Sequence, residues 1–217
     1  MLIIKNKKDI LLEMSLAHSG DYNFGEFNEI FNYDFFIKFN KFKYVIFDDI
    51  VNIKNKKYNL LIETDGKHIF IFNKDNNDII LSMMIEEYNT RHLDPKLIKR
   101  YNQVLIVRSI KTADKYRNKG IAKFLYQFLI DGGSSLMGDA REYDSARYLW
   151  ASMNKVENIK LDILEIDKGI LIHENIKLKD IYDTRVWKII DPNDLLNKEK
   201  QIEHMDWIYK RLIAYKV

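Results

Sequence analysis

The chain has 217 residues (26.0 kDa), of which 47% are hydrophobic and 31% charged, the composition of a globular protein able to bury a full core. It contains no cysteine, which excludes disulfides, thiolate nucleophiles and cysteine-based zinc sites, and no metal is expected. The net charge of +3 is carried by scattered lysines rather than a basic block, so nucleic-acid binding is not indicated, and no apolar run reaches the length of a membrane span.

Met1 to Lys8 has no apolar stretch behind its charges, so a cytoplasmic protein without a membrane partner is expected. Residues 1–52 read as a mixed, mostly helical extension. Ile10, Leu11 and Met14 precede a polar break at His18–Asp21, and an aromatic-rich segment runs from Phe24 to Phe42. Within it Phe31, Tyr33, Phe35, Phe36 and Phe39 read as a hydrophobic lid rather than a ligand box.

An antiparallel meander follows. Tyr58–Thr64 and Lys67–Phe72 flank Asp65-Gly66, a two-residue hairpin signal, and the polar turn Asp75–Asp78 leads to a third strand over Ile79–Tyr88. Glu86 and Glu87 at its end read as surface charge. Residues 89–102 carry Arg91, His92, Pro95, Lys96, Lys99 and Arg100 and read as a long polar connection with room for a short helix.

Val104–Ile110 is rich in aliphatic and β-branched residues, as suits a strand covered on both faces. Arg117-Asn118-Lys119-Gly120-Ile121-Ala122 then joins it to a helix whose apolar stripe is Ile121, Phe124, Leu125, Phe128 and Leu129. The start of a helix leaves backbone N–H groups without intrahelical partners and carries partial positive charge. With glycine at position 120 the backbone can turn sharply and approach a ligand, so the junction reads as a pyrophosphate cradle. The competing reading is a plain strand–helix–strand crossover with Arg117 and Lys119 solvated.

Asp131-Gly132-Gly133 ends this helix, and Ser135–Gly138 is a short strand. A second helix spans Tyr143–Met153 with Ala146, Leu149, Trp150 and Met153 on one face. Lys160–Asp167 alternates as a strand, Lys168-Gly169 turns, and Ile170–His173 returns. Asp194–Tyr215 reads as an amphipathic helix using Leu195, Ile202, Met205, Ile208, Tyr209 and Leu212. It is expected to pack on the core, with a homodimer contact as the alternative.

The motif Arg117-x-x-Gly120-x-Ala122, preceded by Tyr116 and set between a strand and an amphipathic helix, resembles the GNAT superfamily of acyl-CoA-dependent N-acyltransferases, over residues 57–167. The resemblance implies an α/β (α+β) fold: a mixed, mostly antiparallel sheet with a V-shaped splay, flanked by helices. It implies one domain over 1–217, with a 1–52 extension, a 57–167 acyl-CoA-binding core and a 168–217 strand and amphipathic helix. Acetyl-CoA would be the cosubstrate. The backbone of Ile110 and Thr112 would pair with pantetheine, and Arg117, Asn118, Lys119, Gly120, Ile121 and Ala122 would hold the pyrophosphate. Met137–Asp139 and the helix near Tyr143 would form the far wall.

The implied reaction is attack of an amine, on a protein or a small molecule, upon the thioester. An alkyl ammonium has a pKa near ~10.4 and must lose its proton first. Many members supply a tyrosine acid in the pattern Ala-x-x-Leu-Tyr; here Ala146-Arg147-Tyr148-Leu149-Trp150 puts Trp150 at that position, where it would line the thioester pocket without acting as an acid. Tyr148, on the same helix, is the substitute phenol, though about 200° away around the axis. Asp139 is the candidate base; helix capping or a salt bridge to Arg141 competes with that role. A GNAT-shaped binding or structural protein without turnover is the alternative function. Leu136-Met-Gly-Asp139 followed by Ser145–Trp150 also resembles GNAT-type proteins of tailed bacteriophages, which would imply a host or phage macromolecule as acceptor.

Overall fold

The computed structural model describes residues 44–53, 56–63, 66–73, 75, 78–139, 144–179, 183, 185–186 and 209–217. In chain order these form β1 (Tyr44–Ile53), β2 (Lys56–Glu63), β3 (His68–Asn73), β4 (Asp78–Glu87), a 3-10 turn Thr90–His92, α1 (Pro95–Tyr101), β5 (Gln103–Thr112) and a 3-10 turn Asp114–Tyr116. Then come α2 (Ile121–Asp131), β6 (Ser134–Gly138), α3 (Asp144–Met153), β7 (Ile159–Glu165), β8 (Ile170–His173) and β9 (Lys210–Lys216). The class is α+β with mostly antiparallel strand pairing. The chain divides into two compact units, one built from the chain up to Glu86 with Val107–Phe128, the other from Glu87–Ile106 with Leu129–Val217.

In the first unit the hydrogen-bonded order is β1-β2-β3-β4-β5. β2 and β3 pair antiparallel from Asn59↔Phe72 to Ile62↔Ile69, across the expected hairpin, and Gly66 takes the left-handed φ of +71° that the turn requires. β3 is buried at His68–Phe72 and β2 at Tyr58–Ile62, which is why Leu60-Leu61-Ile62 and Ile69-Phe70-Ile71-Phe72 read as continuous apolar runs rather than alternating ones. β4 continues the meander against β3, from His68↔Met84 to Asn73↔Asp78.

The helical reading of 1–52 is corrected where it overlaps β1. Tyr44-Val-Ile-Phe and Ile50-Val51 form a β-branched, aromatic run that finds a partner in β2, with a register shift between Phe47 and Val51. Tertiary pairing outweighs the weak local preference. The aromatic cluster from Phe31 to Phe39 lies outside the described residues.

In the second unit the order is β5-β6-β9-β7-β8. The starts of β5 and β6 lie side by side, as in a strand–helix–strand unit: Ser135 Oγ donates to the Tyr101 carbonyl at 2.6 Å and Ser134 Oγ to Gln103 Oε1 at 3.2 Å. The core gathers Leu93, Leu97 and Tyr101 with Val104, Ile106, Met137, Leu164, Ile213 and Tyr215. The segment expected as a polar connection therefore buries an apolar face. Its helix α1 has proline at its first position and Asp94 as N-cap, whose carboxylate accepts from the Lys96 N–H at 2.8 Å.

The second correction falls at the C-terminus. Lys210–Lys216 is not the end of a helix but strand β9, paired antiparallel with β7 from Ile159↔Lys216 to Glu165↔Lys210 and with β6 at Leu136↔Ala214 and Met137↔Ile213. Arg211 to Tyr215 are all buried, the pattern of a strand with neighbours on both sides. The preceding part of the expected helix, 194–208, lies outside the described residues.

Candidate cofactor site

Strand β5 is buried at Val104–Val107 and then emerges, with Arg108 and Ser109 exposed and Ile110 and Thr112 half-buried. The expected burial on both faces holds for the first part of the strand. The emergence of the second part brings Ile110 and Thr112 to the surface ahead of the turn. The Ala113 N–H donates to the Ile80 carbonyl at 2.9 Å, fixing the strand end against β4.

After β5 the chain makes one 3-10 turn anchored by Tyr116, whose ring is buried while Lys119 Nζ and Lys115 Nζ lie 4.8 and 5.3 Å from its centroid. Arg117 folds back, its Nη2 2.8 Å from Asp114 Oδ1 and its Nε donating to the Thr112 carbonyl at 3.4 Å. Arg117, Asn118, Lys119 and Gly120 are all exposed. Asn118 and Gly120 are left-handed, at φ +58° and +82°, and a backbone entering that region repeatedly can aim successive N–H groups at one point. A side chain built on Gly120 would meet nothing within 4 Å, so the surface above it is open.

Helix α2 begins here. Its first helical bond runs from the Phe124 N–H to the Gly120 carbonyl at 2.9 Å, which leaves the amides of Ile121, Ala122 and Lys123 without an intrahelical acceptor. The expected apolar stripe holds α2 down: Ile121, Leu125, Phe128 and Leu129 are buried and Phe124 is half-buried. Ile110, Thr112 and the whole Arg117–Ala122 stretch are thus assembled in the first unit as one strand–turn–helix. The arrangement can bind an anion through backbone amides, with Lys115 and Lys119 adding positive charge.

The other candidates belong to the second unit. Asp139 directly follows β6 and is half-buried. On α3, Tyr148 is 63% exposed whereas Trp150 is fully buried, as their separation of two helical residues dictates. Trp150 therefore contributes packing. Among the described residues, no group of three or more His, Cys, Asp or Glu could hold a metal ion, and no helix is long and apolar enough to cross a membrane.

Sequence reasoning missed a polar centre in the second unit. Asp162, in mid-β7 and fully buried, accepts from the Asn175 N–H at 2.6 Å and Tyr101 Oη at 2.8 Å. It also accepts from Arg100 Nη1 at 3.1 Å and, at 3.5 Å, from Tyr215 Oη. Burial together with the Asp162 hydrogen bond pushes the Tyr101 phenol far above its ordinary range, and burial together with the Asp162 charge pushes Tyr215 up to about 12. Both therefore remain donors at neutral pH. The available signal was a lone aspartate inside Leu161-Asp162-Ile163, whose side-chain partners lie 53 to 62 residues away in sequence.

No protein-family model matches the chain, and no curated protein sequence does.

Proposed function

We propose that the protein is an acetyl-CoA-dependent N-acetyltransferase of the GNAT type, acting on an amine of a protein or small molecule. The observation that carries this reading is the Arg117–Gly120 turn: exposed, carrying two cationic side chains, left-handed at Asn118 and Gly120, and leading into the first-turn amides of α2, which have no intrahelical acceptor. A diphosphate suits such a turn because its oxygens accept several N–H groups at once, and the open space above Gly120 leaves room for it. The amides of Gly120, Ile121 and Ala122, with the side chains of Arg117, Asn118 and Lys119, would hold the diphosphate, and the backbone of Ile110 and Thr112 would pair with the pantetheine arm.

When bound, acetyl-CoA supplies an acyl thioester. Asp139 would take the proton of the incoming ammonium, freeing the nitrogen lone pair for attack, and Tyr148 is the phenol on α3 that could return a proton to the departing thiolate. Trp150 favours a second reading, a GNAT-shaped binding protein without turnover, since it puts a buried indole where many members have an acid.

Calorimetric titration of acetyl-CoA and CoA into wild type and Gly120→Glu tests the cofactor site. Wild type should bind, and Gly120→Glu should bind at least about tenfold more weakly, because a carboxylate would project toward the diphosphate. Equal affinities would remove the assignment. Binding without CoA release across a panel of amines would select the second reading.

A further inference from the structure

The segment 89–102 forms an arm on the second unit: the 3-10 turn Thr90–His92, then α1, a helix of only seven residues. A helix that short does not persist by itself, so the arm's conformation depends on what it is docked against. Near its start the Asp94 N–H donates to the Gly169 carbonyl at 3.2 Å, and at its end Asn102 Nδ2 donates to the Gly133 carbonyl at 3.1 Å. Between them Leu93, Leu97 and Tyr101 enter the core, and the Tyr101 ring meets the Tyr215 ring edge-on at 5.2 Å.

A further tie is ionic. Arg100 Nη1 and Tyr101 Oη, adjacent on the arm, converge on the same oxygen of Asp162, Oδ2, at 3.1 and 2.8 Å. Arg100 also reaches Glu174 through Nη2 at 2.9 Å, so its guanidinium bridges a fully buried carboxylate and an exposed one. If the arm undocks, Asp162 retains, among the described residues, the Asn175 amide and the long Tyr215 contact, and loses the Arg100 cation that faces its charge. Partial undocking is thus unfavourable at both ends of the bond.

We propose that Asp162 is a latch holding the 89–102 arm in its docked position, so that the arm opens and closes as one cooperative unit whose equilibrium this carboxylate sets. The inference stands independently of the acetyl-transfer reading. The carboxylate is positioned for it by β7, the Asn175 amide holds its second oxygen, and the two raised phenols beside it keep donating across the neutral range.

Native-state hydrogen exchange, followed by mass spectrometry on the full chain, tests this in Asp162→Asn and Tyr101→Phe. Asp162→Asn keeps the side-chain shape but removes the charge. Exchange at the amides of residues 97–102 should accelerate by about ten- to a hundredfold, while β2 and β3 amides stay within about twofold. Tyr101→Phe, which removes one hydroxyl and keeps the ring, should give a smaller rise confined to the same segment. Unchanged exchange in the arm would overturn the latch, and so would an equal acceleration in every segment. If Asp162→Asn does not fold, Tyr101→Phe decides alone by the same comparison.

Discussion

Asp139 and Tyr215 show how differently two ionisable side chains can matter. Asp139 is half-buried at the end of β6, where its proposed role is chemical. Asp139→Asn conserves size and one acceptor oxygen while removing the charge, so melting and acetyl-CoA affinity should stay near wild type while acetyl transfer falls by roughly 10²-fold, read as initial rates of CoA release. Full activity in this variant would leave water as the base. Tyr215 affects stability instead. Its phenol is pushed up to about 12, chiefly by burial and then by the Asp162 charge. A phenol ionises near ~10 in the unfolded chain, so between the two values the unfolded state binds fewer protons than the folded one. The stabilisation is therefore complete below the unfolded value and is lost as pH rises toward 12. Chemical denaturation across that range should show stability falling in wild type and a shallower fall in Tyr215→Phe. Identical pH slopes would contradict this.

At the scale of elements, two glycines with left-handed backbones separate an open turn from a packed one. Gly120 in the turn before α2 has φ +82° and open space where a Cβ would project, so Gly120→Ala should cost about 1 kcal/mol, from backbone strain alone. Gly169 in the β7–β8 turn has φ +65°, and a Cβ there would lie 2.0 Å from the His92 carbonyl oxygen and 3.2 Å from the Leu93 Cα. Those neighbours are backbone and cannot step aside without moving the arm. Gly169→Ala should therefore cost about 2 kcal/mol or more, measured by urea denaturation against Gly120→Ala. Equal costs would mean that the turn and the arm do not pack as closely as this. The arm also explains why an apparently solvated connection is ordered: its lysines point outward, while Leu93, Leu97 and Tyr101 at near-helical spacing carry the buried face.

At the scale of the molecule, the second unit is completed by its last strand. β9 lies between β6 and β7, so residues distant in sequence close the sheet, at Met137↔Ile213 on one side and Asp162↔Ile213 on the other. Removing residues 209–217 would leave β6 and β7 each with an unpaired edge and would expose Leu136, Met137, Leu161 and Ile163, all buried here. The truncated chain should lose the cooperative unfolding transition of this unit in circular dichroism and aggregate. Retention of a wild-type melting profile would rule out β9 as a structural keystone.

What the sequence by itself determined lies close together along the chain. The β2–β3 hairpin with its left-handed Gly66, the Arg117–Gly120 turn with its following helix, and the Lys168-Gly169 turn are set by residues that meet within a few positions, where turn chemistry and apolar periodicity act directly. The tertiary structure alone decided the state of segments whose preference was divided. Tyr44–Ile53 became a strand because β2 offers its edge, and Lys210–Lys216 became a strand because β6 and β7 flank it, although its apolar residues also fit a helical stripe. It alone also revealed the Asp162 centre, since Arg100, Tyr101 and Tyr215 reach that carboxylate across more than fifty residues. The physical reason is common to these cases: local periodicity fixes which residues turn inward together, whereas a strand's partners and a buried charge's counterions are supplied by other parts of the chain.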